Sequence, residues 1–235
     1  MKILGLDSSG LVAGVAVVED GILLAEYTTD YKKTHSQTLL PMLEELRNMI
    51  ELDLNTVDAV AIASGPGSFT GLRIGSATAK GLGLALNKPL VEVPTLEGLA
   101  WNLWGTASLV CPLMDARRNQ VYTGVYEFVL QGEVLKLRAV VPQAPMDIVE
   151  LLEKLNEIGR EVIFLGDGVP VYLDLIREHA KVPYSLAPAS CNRQRAACIA
   201  TLGAVYFAEG RTVSAGEHKP EYLRKSQAEQ EEENG

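Results

Sequence analysis

A row of small residues inside one predicted helix is the feature that most constrains this sequence. The segment from Thr70 to Leu86 reads as a helix, yet it contains four glycines, and each interior glycine costs about 1 kcal/mol relative to alanine. Small residues recur at every fourth position: Gly67, Gly71, Gly75, Ala79 and Gly83. Residues four apart lie on one side of a helix, and small side chains there let another backbone approach closely. The sequence therefore predicts a helix against which another segment packs tightly.

Composition restricts the classes of protein to which the chain can belong. The 235 residues are 47% apolar and 22% charged, which predicts one large globular domain or two small ones. The net charge of −9 disfavours autonomous nucleic-acid binding, which depends on clustered Lys and Arg. Three unpatterned cysteines are typical of a reducing cytosol, and no apolar run is long enough to span a membrane. We expect a cytoplasmic protein without membrane association, whose acidic residues 226–235 form a disordered tail.

Strand and helix patterns alternate along the chain in an order that occurs twice. The first half is predicted to have strands over 2–7, 12–18, 22–27 and 59–63 and helices over 35–50 and 70–86. The second half is predicted to have strands over 109–114, 121–129, 134–137 and 162–165 and helices over about 146–158 and 169–180. The first strand of each half ends in an aspartate, Asp7 and Asp115.

The repeated order indicates an internal structural duplication. We predict an N-terminal lobe of residues 1–103, completed by a C-terminal helix at about 194–210, and a C-terminal lobe of residues 104–193. Such an arrangement resembles the actin/sugar-kinase/Hsp70 ATPase superfold. That α/β fold has two lobes, each with a mixed sheet of a three-strand antiparallel meander plus parallel strands, flanked by helices.

Within that superfold, several motifs are similar to those of the TsaB (YeaZ) family. They are Ile3-Leu4-Gly5-Leu6-Asp7-Ser8-Ser9, His35-Ser36-Gln37-Thr38-Leu39-Leu40-Pro41, Gly65-Pro66-Gly67-Ser68-Phe69-Thr70-Gly71-Leu72-Arg73, Met114-Asp115-Ala116-Arg117 with Val121-Tyr122, and Tyr222-Leu223-Arg224. The resemblance covers most of the chain and keeps the order of the motifs.

The resemblance implies a non-catalytic scaffold subunit without a cofactor. Members of this family partner the paralogue TsaD in the synthesis of N6-threonylcarbamoyladenosine at position 37 of tRNA, and the ATPase TsaE joins the same system. We therefore expect this chain to form a heterodimer with TsaD, to form a homodimer when alone, and to contact tRNA only through the complex. Arg117, Arg118, Arg224 and Lys225 are candidates for phosphate contacts there, although isolated solvated charges are the alternative.

The first strand's end offers a weak candidate for nucleotide binding. Backbone N–H groups and small hydroxyls at Asp7, Ser8 and Ser9 have the chemistry to hold a phosphate, whereas a plain hairpin with an Asx turn is the alternative. The second half lacks the glycines that follow the corresponding aspartate in active members of the superfold. It has Asp115-Ala116-Arg117-Arg118 there, and Gly166-Asp167-Gly168 stands where relatives use paired glycines. Both departures disfavour independent ATP binding.

We predict no catalytic residue and no metal site. The resemblance implies that TsaD has metal-binding histidines where this chain has Thr95 and Leu99, and neither is a useful ligand. His35 and Ser36 lack the nucleophile elbow and the third member that a hydrolase triad needs. The competing hypothesis is an independent enzyme of this superfold, either an M22-like peptidase or a small-molecule kinase.

Two helices are predicted to form the partner interface. The helix over 35–50 carries apolar residues around roughly half of its circumference, which is more than one core-facing stripe needs. We expect this helix and the small-residue helix to form a helical bundle with the partner, and the alternative for the first helix is deep burial. The predicted interface residues are Leu39, Met42, Leu43, Leu46, Gly71, Gly75, Ala79 and Gly83.

Overall fold

The structure is a computed structural model that describes residues 1–31 and 35–223. The predictions about Arg224, Lys225 and the acidic tail therefore lie outside the described residues. The described residues divide into two compact units, residues 1–98 with 194–223, and residues 99–193.

The predicted helices and strands occur in the predicted order, and Leu90–Pro94, Thr95–Ala100 and Tyr184–Leu186 form three further elements. In chain order they are β1 (Lys2–Asp7), β2 (Ala13–Glu19), β3 (Ile22–Thr29), α1 (His35–Met49), β4 (Ala59–Gly65), α2 (Phe69–Leu86), β5 (Leu90–Pro94), α3 (Thr95–Ala100), β6 (Leu109–Asp115), β7 (Gln120–Gln131), β8 (Val134–Asp147), α4 (Ile148–Ile158), β9 (Val162–Leu165), α5 (Gly168–His179), β10 (Tyr184–Leu186) and α6 (Ala196–Ala208). Short 3-10 turns cover Leu54–Thr56 and Trp101–Leu103.

Each unit contains one five-stranded mixed sheet of the same design. The strand order is β3-β2-β1-β4-β5 in the first unit, and β8-β7-β6-β9-β10 in the second. In each sheet the first three strands pair antiparallel and the last two add in parallel. The same topology in both halves confirms the predicted α/β fold with an internal duplication.

Helices cover both faces of the first sheet. Leu4 and Leu6 of β1 pack into one apolar cluster with Leu39 and Leu43 of α1. Gly5 points to the other face, where a Cβ would lie 2.6 Å from the carbonyl oxygen of Ala196 in α6. Since successive residues of a strand face opposite sides, α6 lies on the face opposite α1. Every residue of β4 is consequently buried, as predicted for a fully buried parallel strand.

The second unit has its own core, built by the same logic. α4 begins at Asp147, whose carboxylate accepts from Val149 N at 2.8 Å, and ends at Gly159 in the left-handed conformation, two standard capping devices. Its apolar side packs with β6, β9 and α5 around the fully buried Phe164. β8 is longer than the predicted strand over 134–137, because it pairs with β7 along nearly its whole length despite Pro142 and Pro145.

Candidate functional site

A tight turn at the end of β1 brings together the residues predicted to bind a nucleotide. Asp7 is only 2% exposed, and its Oδ1 accepts from the backbone N of Ser9 at 2.9 Å and from Ser9 Oγ at 2.6 Å. Burial raises the pKa of Asp7 from 3.8 to about 6, against the opposing effect of these two hydrogen bonds. The turn is thus an Asx turn that holds a buried carboxyl group.

The N-terminal end of α2 is built around this turn. Ser68 N donates to the carbonyl oxygen of Ser9 at 2.7 Å, and Ser8 Oγ donates to that of Gly71 at 2.8 Å. A Cβ on Gly67 would lie 2.2 Å from the Ser9 carbonyl oxygen, and one on Gly71 would lie 2.1 Å from that of Ser8. The backbone that approaches the glycine row therefore belongs to the β1–β2 turn of the same unit.

The polar groups of the turn form hydrogen bonds within the first unit. Ser8 and Ser9 are both buried, and the hydroxyls and the amide that we assigned to a phosphate serve Asp7 and α2 instead. Nucleotide binding at Asp7, Ser8 and Ser9 stays a prediction, and this geometry offers it no free hydroxyl.

Two further side chains complete the site. His35, the first residue of α1, contacts the carbonyl oxygen of Gly10 through Nε2 at 2.8 Å. Gln194 is buried against Gly10, where a Cβ would lie 2.6 Å from Gln194 Nε2. His35 Nδ1 and Gln194 Nε2 have no hydrogen-bond partner within residues 1–31 and 35–223. Sequence reasoning missed Gln194 because nothing in its local pattern links it to a turn more than 180 residues away.

The residues predicted to form the partner interface are buried inside the first unit. Leu39, Met42, Leu43, Leu46 and Ala79 all belong to the apolar core cluster. A Cβ added to Gly71 or to Gly75 would meet Ser8, and one added to Gly83 would meet Leu90. The physical reason is that α1 packs on β2 and β3 and α2 packs on β4, so the sheet takes up the largest apolar stripe of each helix. The interface through these two helices stays a prediction.

The exposed side of α2 carries a second row of residues, and two of them, Ala77 and Gly81, are small. We call it the outer stripe and define it as Thr70, Arg73, Ala77, Gly81 and Leu84, which are exposed and lie on one side at helical spacing. Leu84 is 72% exposed. A Cβ added to Gly81 would meet nothing within 4 Å. Within residues 1–31 and 35–223, the fold therefore gives no steric reason for glycine at position 81.

Thr95 was predicted to stand where a metal ligand is missing, and it has a structural role in this chain. Thr95 is fully buried, and its Oγ1 accepts from the backbone N of Gly65 at 3.1 Å. Leu99 is buried as well. Glu97, between them, accepts from the hydroxyl of Tyr206, and burial raises its pKa. Within the described residues, no group of three or more His, Cys, Asp or Glu side chains is placed to hold a metal ion.

The corresponding turn of the second unit contains Asp115. Its Oδ1 accepts from the Tyr172 hydroxyl and from Arg117 N, both at 2.9 Å, and its own backbone N donates to Asp167 Oδ1 at 3.3 Å. Burial raises the pKa of Asp167. Burial and the hydrogen bond to Asp115 together raise the pKa of Tyr172 to about 12. Sequence reasoning missed Tyr172, which lies in α5.

The turn that follows Asp115 has an unusual backbone. Arg117, Arg118 and Asn119 have φ of 65°, 55° and 58°, a left-handed conformation that costs an L-residue about 1–2 kcal/mol. All three residues are exposed. The turn thus presents two arginines to solvent, at the place where active relatives were expected to have glycines.

No helix in the described part of the chain is both long and apolar enough to cross a membrane. This finding concerns residues 1–31 and 35–223 alone.

Comparison with known proteins identifies similar sequences over nearly the whole chain. The family model described as TsaD: tRNA N6-adenosine threonylcarbamoyltransferase matches residues 23–232. A Bacillus subtilis protein named tRNA threonylcarbamoyladenosine biosynthesis protein TsaB is 34% identical, over 97% of this chain and 96% of its own length.

Solved structures agree with this match. YeaZ from Pseudomonas aeruginosa has a TM-score of 0.77 at 27% identity, covering 94% of this chain and 99% of its own. An inorganic polyphosphate/ATP-glucomannokinase from Arthrobacter has a TM-score of 0.50 at 11% identity, covering 89% of this chain and 99% of its own. At that identity the kinase shows a shared fold and nothing about activity.

Proposed function

Because the chain belongs to the TsaB family of tRNA threonylcarbamoyladenosine biosynthesis proteins, within the wider family that the TsaD model describes, we propose that it is a non-catalytic subunit of a tRNA-modifying complex. In this proposal it docks on a TsaD-like transferase and activates the formation of N6-threonylcarbamoyladenosine at position 37 of tRNA. The transferase supplies the metal, the nucleotide site and the reacting groups.

Gly81 is the observation that carries the proposal. A glycine in an exposed helix interior costs about 1 kcal/mol relative to alanine, and no neighbour in the part of the chain that the structure describes requires it. Ala77 and Gly81 are four residues apart, with exposed Leu84 beside them. Small residues at this spacing let a second helix approach closely, while Leu84 supplies apolar area. These features support docking of a partner helix on the outer stripe of α2.

The buried polar groups support a non-catalytic role. The Thr95 hydroxyl is committed to Gly65 and the Asp7 carboxyl to Ser9. A general base or nucleophile has to reach a substrate, and these two groups lie inside the first unit. The competing hypothesis of an independent peptidase or kinase gains no support from this geometry.

The remaining partners follow from the same proposal. TsaE joins the wider complex, and tRNA contacts this chain only within it, with exposed Arg117 and Arg118 as candidates for phosphate contacts. Without its transferase, the chain pairs with itself through the outer stripe. A tRNA-modifying role also implies the cytoplasm.

Reconstitution of tRNA modification from purified components tests the proposal. The chain is added to or omitted from a mixture of TsaD-like transferase, TsaE, threonylcarbamoyl donor and tRNA, and the modified adenosine is quantified. We expect little product without the chain. An equal rate without it, or nucleotide turnover by the chain alone, would contradict the proposal.

A matched pair of variants tests the docking surface. Gly81→Leu places a large side chain in the centre of the outer stripe, and Glu157→Leu places the same side chain at an exposed position of α4. We expect Gly81→Leu to weaken binding of the transferase at least about tenfold, which corresponds to about 1.4 kcal/mol. Glu157→Leu should bind as the wild type does. Equal affinities of the two variants would exclude the outer stripe as the docking surface.

A further inference from the structure

We propose that Arg73 is the ionic anchor of the docking surface, where its guanidinium binds a carboxylate of the transferase and Tyr222 holds it in position. This role rests on the proposed function, because the partner is the transferase proposed to dock on the outer stripe of α2. Two things go beyond that function: the chemical group of the partner that meets Arg73, and the segment of this chain that positions it.

Two side chains contact the ring of Phe69 at the start of α2. The ring centroids of Phe69 and Tyr222 are 4.9 Å apart, and Arg73 Cζ lies 3.9 Å from the centre of the Phe69 ring. We call these three residues the Phe69 cluster. The cluster joins two of the motifs that carry the family resemblance, residues 65–73 and 222–224, which lie far apart in the sequence.

The segment that carries Tyr222 is attached to the edge of the first sheet. Val213 exchanges two backbone hydrogen bonds of 2.9 Å with Leu90 of β5. Further along the segment, His218 is fully buried, and its Nδ1 lies 2.6 Å from Glu92 Oε1 on the same strand. Contacts at two points of β5 fix the direction in which the chain continues towards Tyr222.

A third attachment lies directly before Tyr222. Glu221 N donates to the carbonyl oxygen of Ser64 at 2.7 Å, at the end of β4. A Cβ on Gly65 would lie 2.2 Å from the carbonyl oxygen of Glu221, and Gly65 has a φ of 125°, a conformation that favours glycine. Gly65 thus makes room for this attachment, and the attachment places the Tyr222 ring on Phe69.

Arg73 is exposed, and its guanidinium is available to a partner. Within residues 1–31 and 35–223 it forms no hydrogen bond or ion pair. A guanidinium whose face contacts an aromatic ring keeps the N–H donors at its edge, where they match the two oxygens of a carboxylate. Contact with Phe69 also restricts the side chain before docking, so less entropy is lost when the ion pair forms. Arg and Tyr are residue types enriched among those that dominate binding energy at interfaces.

Arg73 lies close enough to Gly81 for both residues to belong to one interface. The two residues are eight positions apart on the outer stripe, which corresponds to about 12 Å along the helix axis at 1.5 Å per residue. In such an interface Gly81 permits close approach of a partner helix, and Arg73 supplies the ion pair.

The charges around the Phe69 cluster favour a carboxylate over the phosphates of a nucleic acid. Arg73 is the one cation of the outer stripe, whereas nucleic-acid binding depends on clustered Lys and Arg. The exposed Glu221 precedes Tyr222 and repels a chain of phosphates laid along the cluster. The first turn of α2 contains no acidic side chain, so the positive end of the helix dipole adds to Arg73 in attracting a single carboxylate.

Affinity measurements on charge variants test the contact. Arg73→Glu reverses the charge of the outer stripe, and Arg177→Glu makes the same change at an exposed position of α5. We expect Arg73→Glu to weaken binding of the transferase at least about tenfold, and Arg177→Glu to bind as the wild type does. In Arg73→Gln the affinity should also depend less on salt between about 0.05 and 0.5 M, because the screened ion pair is gone.

Charge exchange tests the chemistry of the partner group. Each exposed Asp or Glu of the transferase is changed to Lys in turn, and binding of Arg73→Glu is measured again. One of these transferase variants should restore binding, because the reversed pair is again attractive. If no exchange restores binding, the group that Arg73 meets is not a carboxylate of the transferase.

A conservative pair of variants tests Tyr222 as a positioning residue. Tyr222→Phe keeps the ring and should bind the transferase as the wild type does, whereas Tyr222→Ala should weaken binding about threefold or more. In an Arg73→Gln background the alanine variant should have no further effect on binding, because Tyr222 acts through Arg73. The same loss in both backgrounds would show that Tyr222 supports the fold and does not position the guanidinium.

The outcomes separate this inference from the proposed function. Wild-type affinity of Arg73→Glu, together with weakened binding by Gly81→Leu, would overturn the ionic anchor and leave the proposed function standing. Unchanged transferase affinity with weaker tRNA binding by the assembled complex would assign Arg73 to an RNA phosphate, and the proposed carboxylate would be wrong. Failure of the wild-type chain to bind any transferase would contradict the proposed function, and the anchor with it.

Discussion

Gly71 of α2 lies directly against Ser8 of the β1–β2 turn. Ser8 Oγ donates to the carbonyl oxygen of Gly71 at 2.8 Å, and a Cβ on Gly71 would come within 2.1 Å of the Ser8 carbonyl oxygen. Both groups are backbone or buried, so neither moves aside easily. This contact explains why a helix with good apolar packing contains a costly glycine at that position.

Gly71→Ala is therefore expected to destabilise the chain. The new methyl group has to displace the turn or α2, and overpacking of this kind costs about 1–3 kcal/mol. We expect the free energy of unfolding in urea to fall by about 2 kcal/mol or more. An unchanged midpoint would mean that α2 does not pack on the turn as described.

Gly81→Ala makes the same substitution on the same helix, but we expect it to stabilise the chain. Its methyl group meets open space, and alanine is the better helix former by about 1 kcal/mol. We expect the isolated chain to gain about 0.5–1 kcal/mol of unfolding free energy in the same urea titration. A loss of stability would show that position 81 has a neighbour in the folded chain.

The sequence predicted the order of elements well, because strand and helix periods are local. The helix predicted over 35–50 is His35–Met49 in the structure, and the helix predicted over 70–86 is Phe69–Leu86. It did not predict that the small-residue row of α2 would face the β1–β2 turn of its own unit, because that depends on residues far away in the chain. A row of small residues has the same appearance whether the approaching backbone belongs to the same chain or to a partner. For that reason Gly71 and Gly81 had to be distinguished in the structure.

Asp7 should make stability depend on pH with a defined sign. Its pKa is about 6 in the folded chain against 3.8 for an ordinary aspartate. A carboxyl whose pKa is raised by folding stabilises the fold in its protonated form. That contribution is fully present below the unfolded pKa and is lost as the pH rises through the folded pKa. The shift corresponds to about 3 kcal/mol between pH 4 and pH 7.

Asp7→Asn removes this titration and keeps an oxygen to accept from Ser9. We expect the variant to match the wild type near pH 4 and to become more stable than it by up to about 3 kcal/mol at pH 7.5. The measurement is urea unfolding of both proteins at steps between pH 4 and 7.5. The comparison cancels the contributions of the other carboxylates, such as Glu127, whose pKa is lowered by Arg160 and Arg138. Parallel curves for the two proteins would rule out a buried Asp7 with a raised pKa.

Tyr172 should stabilise the second unit through its hydroxyl. The hydroxyl lies 2.9 Å from Asp115 Oδ1 and 3.2 Å from the Gln120 carbonyl oxygen, and hydrogen bonds to charged groups contribute about 1.5–3 kcal/mol. We expect Tyr172→Phe to lower the unfolding free energy by about 1–2 kcal/mol. Tyr184→Phe is the control, because the ring of Tyr184 packs edge-on against Phe164. Equal effects of the two variants would show that the Tyr172 hydroxyl, despite its bond with Asp115, contributes no more to stability than the Tyr184 hydroxyl does.

Thr95 stands where a metal ligand was predicted to be missing, and its hydroxyl should stabilise the fold instead. Its Oγ1 accepts from Gly65 N inside the first unit, and an unpaired buried N–H costs about 1–3 kcal/mol. Thr95→Val keeps the shape of the side chain and removes the acceptor, so we expect a loss of about 1–3 kcal/mol in thermal or urea unfolding. Thr95→Ser keeps the acceptor and loses one methyl group, which should cost about 1 kcal/mol. If valine were tolerated as well as serine, the hydroxyl would have no structural role, and the replacement of a ligand by threonine would need another explanation.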